Sequence, residues 1–349
     1  MPHPTICRVG KWLFIACVLL TGNAHAALYP NVYGAPKEVM RTTDWYRQCL
    51  RVKGFKPPPR DVPKRATPER CDAAELYYDT QNNPNASHAD WAKVRECAFR
   101  SNASGVLMML YANGSGVMPN LNLATKYACS IESPVNEMKS RVAHLARKMS
   151  GDDSADVDVC DDVGGSDMRA QCASVRERRL EKKRNDQLAA LSRNWNAKEQ
   201  LGLEMVSKAA HYYAQHRADY ETDQGTPGAR AVALEILGNE LEQFYNDIHD
   251  FEKGKVPRFS EAEFAAVESK LNETYQQFMQ MRPVSASYLG TIRKTGVEKT
   301  QRAWLAYRDA MELFGSIRYP QVPASGWRTL LTSRRLRQLS ELDNAAAGR

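Results

Sequence analysis

An all-α fold follows from three observations. Between Lys299 and Phe314, Trp304, Tyr307, Met311 and Phe314 fall three and four apart, one apolar stripe on a helix. From Ser174 to Glu221 the helical pattern is nearly unbroken. Nowhere does a stretch alternate apolar and polar residues as a half-buried strand does. At 349 residues the chain has room for about two or three domains, each able to bury a core.

In chain order, Met1 to Ala26 reads as a secretory leader. Arg8 and Lys11 give a basic start, Trp12 to Leu20 an apolar run, and Ala24-His25-Ala26 a small-x-small cleavage site. The run is too short for a permanent membrane span. Lipid attachment at Cys17 and a buried N-terminal helix are lesser readings of the same stretch. The net charge of +7 is a mild positive balance and does not by itself indicate nucleic acid. Two of the eight cysteines, Cys7 and Cys17, fall in the leader. Cys49, Cys71, Cys97, Cys129, Cys160 and Cys172 remain, and an even number behind a leader points to disulfides. Six cysteines allow fifteen pairings, and spacing does not choose among them. The working assignment is Cys71–Cys97 and Cys160–Cys172, which leaves Cys49–Cys129. Metal binding is disfavoured: no two of the six have CxxC spacing, and His88, His144, His211, His216 and His249 do not cluster with them.

Pro36 to Val52 predicts the first helix, with Pro36 at a position where its missing N–H is harmless. Val39, Met40, Trp45, Tyr46 and Leu50 form its apolar side. Pro57, Pro58, Pro59, Pro63 and Pro68 then impose an extended linker. Five short helices follow, over Ala73 to Asp79, His88 to Arg100, Gly105 to Tyr111, Leu121 to Cys129 and Val135 to Met149. Gly151 to Asp167 holds seven Asp and no Lys or Arg, an acidic linker without the spacing of a calcium loop. Ser174 to Glu221 is read as one long helix, with Leu188, Leu191, Trp195, Leu201, Met205 and Tyr212 as its apolar residues. Glu177 and Glu181 alternate with its Arg and Lys residues, as on a salt-bridged face rather than a nucleic-acid surface. Ala229 to Glu252 is another helix. Ser260 and Glu263 form a capping box that opens the next, which runs to about Met281. Tyr288 to Phe314 is long, with a bend expected near Gly296, and Gly326 to Leu342 closes the chain.

Reactive motifs are lacking. The sequence has no HExxH, no phosphate-cradling glycine loop, no GxSxG and no GxGxxG after a strand. His211 and His216, five apart, do not share a helical face. The residues therefore indicate a protein that is not an enzyme and needs no cofactor.

Two resemblances add to this reading. Gly105 to Ala128 (GVLMMLYANGSGVMPNLNLATKYA) resembles a Sel-one-like repeat, a relative of the tetratricopeptide repeats, through Tyr111, Gly114, Gly116, Val117 and Ala124. Cys71 to Ala98 is similar to a degenerate second copy. Leu271, Asn272, Tyr275, Gln301, Trp304, Tyr307, Arg308, Asp309, Thr332, Arg335 and Leu339 resemble the LprI-like lysozyme-inhibitor family. Asp158 to Ala173 is similar to the cysteine pair that opens many of its members. The family's cysteine after the Arg-Asp pair is replaced here by Glu312, and a second, before the closing helix, is also missing. The resemblance implies a helical hairpin in a periplasmic or secreted protein whose partner is a protein of the envelope, such as a lysozyme or muramidase. Arg308 and Asp309 are expected to hold the hairpin by hydrogen bonds, to Asn272 or Gln301. The predicted organisation is a leader (1–26), an N-terminal helix with a Pro-rich linker (27–70), a Sel-one-like repeat domain (71–150), an acidic linker with long helices (151–258) and an LprI-like domain (259–349). Two alternatives stand beside inhibition. One is an enzyme acting on cell-wall glycan. The other is a structural envelope protein whose basic end, with Arg318, Arg328, Arg334, Arg335 and Arg337, lies on anionic wall polymer.

Overall fold

The computed structural model describes residues 28–34, 36–63, 71–281 and 289–346. The leader, Pro68 and Tyr288 lie outside the described residues. Helices account for almost all of the regular structure. The exception is a pair of two-residue parallel strands, β1 (Val32–Tyr33) and β2 (Ser133–Pro134), which ties the first described residues to the segment just before Val135.

The N-terminal half is a set of short helices. They are α1 (Lys37–Arg41), α2 (Asp44–Val52), α3 (Ala73–Gln81), α4 (His88–Arg100), α5 (Ser104–Asn113), α6 (Leu121–Ala128) and α7 (Val135–Ser150). The single helix expected over Pro36 to Val52 is two, because Thr43 is extended at φ −86°, ψ 149°. Leu50, expected inside, is 47% exposed. A core of Tyr77, Val94, Met108, Leu110, Tyr111 and Leu123 fills α3 to α6. Two bridges close this half, Cys49–Cys129 and Cys71–Cys97, and a third, Cys160–Cys172, ties its last loop to the helix that follows. Two sites show why glycine is needed. Gly114 ends α5 in the left-handed conformation at φ 72°. Gly116 has φ 67°, and a Cβ there would stand 2.4 Å from Cβ of Trp91.

The C-terminal half is a bundle of long helices. These are α8 (Ser166–Ser192), α9 (Ala197–Tyr220), α10 (Ala229–Glu252), α11 (Glu261–Gln280), α12 (Lys294–Arg318) and α13 (Ala324–Ala346). The long helix expected over Ser174 to Glu221 is broken before Asn196, whose side chain caps α9 in a box with Glu199. That N-x-x-E signal is legible in the sequence. The break resets the helical phase. Leu203, Val206, Ala210 and Tyr213 face inward, and Leu201, Met205 and Tyr212, expected in the stripe, are 48–56% exposed. Gly296 starts no bend; it lies in the first turn of α12, against Tyr220. The helices neighbour one another in the order α8, α10, α9, α12, α13, α11. α9 and α12 run antiparallel, Gly202 meeting Phe314 and Gly296 meeting Tyr220.

One apolar core spans this bundle from Leu188 to Leu339, so the expected boundary at 258/259 falls inside it. Trp304, Met311, Phe314 and Trp327 are at most 2% exposed. Trp327 lies so close to Gly315 that a Cβ would come within 2.3 Å of the indole. α8 joins the two halves. Its Arg179 lies over the Tyr78 ring at 4.7 Å and donates to Asn82 at the end of α3, and its Lys182 pairs with Asp79 at 3.2 Å.

Candidate functional site

The family-motif positions separate into an inner and an outer set. Leu271, Trp304, Tyr307, Thr332, Arg335 and Leu339 are buried, at most 5% exposed. Tyr275, Gln301 and Arg308 are half-buried, and Asn272 and Asp309 are exposed.

Arg335 organises the inner set. It is 0% exposed, and its guanidinium donates to both Glu221 oxygens, at 2.9 and 2.6 Å. Its Nε donates to Gln301 Oε1 at 2.9 Å. Burial works against the charge, but the Glu221 carboxylate overcomes it and holds the arginine's pKa above its ordinary value. Around this pair Arg217 donates to Glu221 and Glu240, Gln338 donates to Glu240, and Arg334 grips Asp247 through both oxygens. Tyr307, stacked on Tyr213 at 5.8 Å, has its phenol pKa pushed well up, first by burial and then by Asp247. The acidic partners Glu221, Glu240 and Asp247 come from the C-cap of α9 and from α10, all upstream of the hairpin. Sequence reasoning missed them. Their signal was indirect: three and four residues either side of Arg334 and Arg335 stand Leu330, Leu331, Thr332, Arg337, Gln338 and Leu339, none of them acidic, so the partners had to come from other helices.

The same accounting removes the free basic surface expected at the C-terminus. Arg318 binds Glu252 through two bonds, 3.0 and 2.9 Å, and Glu199 at 3.1 Å. Arg328 is bidentate on Glu312 at 2.6 and 2.8 Å. Of the five arginines named, only Arg337 is exposed without a described partner.

Arg308 and Asp309 lie outside this network. On α12, Leu305, Arg308, Asp309 and Glu312 recur three and four apart, and Leu305 is 37% exposed. Arg308 lies 5.2 Å over the Trp304 ring and donates to Glu268 of α11 at 3.2 Å. It does not reach Asn272 or Gln301. Gln301 is taken by Arg335, and Asn272 is exposed. Glu312 first, with Glu261 and Asp309 after it, holds the Arg328 pKa above its ordinary value. Glu268 and Asp309 pair with Arg308 and Glu312 pairs with Arg328, so this group holds more carboxylates than guanidinium groups. Its geometry suits a basic protein surface. It offers no nucleophile with a base beside it, and among the described residues no three His, Cys, Asp or Glu side chains are grouped to hold a metal ion.

The repeat-motif residues are placed in the N-terminal half. Tyr111 is buried, stacks on Tyr127 at 5.9 Å and donates to Asp61 at 3.1 Å. Ala124 is 0% exposed, and Val117 is half-buried beside the core. The acidic stretch Gly151 to Asp167 is largely engaged internally. Asp158 accepts from Tyr78 at 2.8 Å, and Asp153 and Asp162 flank His144 at 3.4 and 3.0 Å. His211 is exposed, and the His216 ring rests 4.1 Å from that of Tyr212.

Residues 253–339 match the family model described as Lysozyme inhibitor LprI. The match begins at the end of α10 and stops at Leu339, so about a quarter of the chain is similar to an inhibitor family that is not enzymatic. No curated protein and no solved structure matches the chain. Among the described residues no helix is long and apolar enough to cross a membrane.

Proposed function

We propose that this protein is exported and binds a lysozyme or another basic wall-degrading enzyme through the acidic face of α11 and α12, blocking it. The observation that carries the reading is the match over 253–339, with Asp309 exposed beside half-buried Arg308, near Glu268 and Glu312. Complementary charge steers a basic partner to such a face and fixes its orientation. Export rests on the leader-like Met1 to Ala26 and on the three disulfides, which persist in oxidising compartments. In the same reading 71–150 is a Sel-one-like module that holds the inhibitory bundle in place, and 259–349 is the inhibitory part.

The test is a muramidase assay with the purified mature protein against several lysozyme types. Inhibition at micromolar concentration, weakening with salt, is expected. The Asp309→Lys, Glu312→Lys double variant should lose about tenfold or more in potency, because reversed charges at an interface repel the partner. No inhibition of any lysozyme at micromolar levels removes the proposal.

A further inference from the structure

Between α3, α5 and α8 lies an apolar cleft of about 460 Å³, within the size range of small-molecule sites. Val106, Met109, Ile131, Met168 and Val175 line it. An apolar void forfeits the contacts its walls would otherwise make, so walls free to move tend to close over it. These walls are cross-linked. Cys71, Cys160 and Cys172 also face the cleft, and their bridges pin the start of α3 to α4 and the preceding loop to α8.

The chemistry changes along α8. Tyr78, Cys160, Cys172 and Val175 line a second cleft as well, of about 920 Å³, which continues between α8 and α10. Four cations line it. Arg184 is held by Glu177 and Glu242, and Arg179 by Asn82 and the Tyr78 ring. Arg169 and Arg176 stand about one turn either side of Cys172, and among the described residues neither has a carboxylate partner. Of the carboxylates, Asp158 accepts from Tyr78, Glu177 and Glu242 hold Arg184, and Glu235 stands on the α10 wall opposite. The apolar space therefore ends beside two unengaged guanidinium groups on its own helix.

We propose that this pair of clefts binds a single-chain anionic amphiphile, its apolar chain in the first cleft and its carboxylate between Arg169 and Arg176. The inference is independent of lysozyme binding, since the acidic face lies on other helices. Arginine forks match a carboxylate in geometry and charge, and methionines such as Met109 and Met168 adapt to a flexible chain.

Isothermal titration of the full mature protein tests it, with dodecanoate, dodecanol and acetate as probes. Dodecanoate should bind saturably with one site, dodecanol at least about tenfold more weakly, and acetate not measurably, because each lacks one of the two recognised parts. Arg169→Glu, Arg176→Glu changes only surface charge and should weaken dodecanoate about tenfold or more while leaving dodecanol unaltered. Ala74→Phe, which fills the apolar cleft, should abolish both, with circular dichroism confirming the fold. Absence of saturable dodecanoate binding by folded protein overturns the proposal. So does equal binding of dodecanoate and dodecanol, or dodecanoate binding that survives both variants.

Discussion

The two halves of the molecule are stabilised by different means. The N-terminal half is short helices, seldom longer than four turns, closed by two disulfides, with a third holding its last loop to α8. The C-terminal half has long helices, no cysteine after Cys172, and a polar network centred on Arg335 and Glu221 inside its apolar core. Short helices bury little apolar surface each, so a cross-link that restricts the unfolded chain contributes more there. Long helices supply enough core to bury an ion pair, provided every partner is in place. The hairpin without its family cysteines is held by this network and by the indoles of Trp304 and Trp327.

The contrast can be broken most sharply at Arg335. Arg335→Met leaves Glu221 buried without its main partner and should destabilise the bundle by about 3–5 kcal/mol in urea unfolding. Adding Glu221→Gln should restore part of that loss. A double variant no better than the single would show that the pair does not act as a unit. The reverse experiment is reduction. Opening Cys49–Cys129, which closes an 80-residue separation, should cost about 4 kcal/mol in the N-terminal half. Hydrogen exchange should then rise in α2 and α7 and stay unchanged in α12. Equal loosening of both halves would mean that they unfold as one.

Smaller effects sharpen the comparison. Gly315→Ala pushes a methyl against the fully buried Trp327 indole and should cost about 1–3 kcal/mol through overpacking, read in near-ultraviolet dichroism and melting. Ser87→Ala removes the capping box of α4 and should cost about 1 kcal/mol, confined to the N-terminal half.

The smallest effect is a pH dependence. Burial alone would raise the Glu252 pKa, but donors from Arg318 and Tyr319 outweigh it and hold the carboxyl below its ordinary 4.5. A depressed folded-state pKa stabilises above the unfolded value, and the contribution fades as pH falls through the folded one. Glu252→Gln should therefore flatten the fall in bundle melting temperature below about pH 4.5 and leave the slope in the N-terminal half unaltered. An unchanged slope in the bundle would remove Glu252 from its acid response.

Much of the fold was legible in local signals. The Ser260–Glu263 box starts α11 where the sequence placed it, and the Trp304, Tyr307, Met311, Phe314 stripe is buried as its spacing requires. The phase of α9 was misread, since Leu201, Met205 and Tyr212 are apolar and helically spaced yet face solvent. Periodicity identifies a stripe but not which of two stripes meets the core once a cap such as Asn196 resets the register. The candidate site was half legible. The Arg308-Asp309 pair stood out, while the Glu268 that bridges to it lies forty residues away on another helix.

What the sequence determined by itself is helicity, the caps and the fully buried aromatic stripe, because these depend on residues within a turn or two of one another. What only the tertiary structure decided is the fate of the charges. Arginines that read as a basic surface are turned inward onto carboxylates up to 119 residues away, and a net acidic face is left outside. An ion pair depends on distance in space, and that is set only when the helices pack.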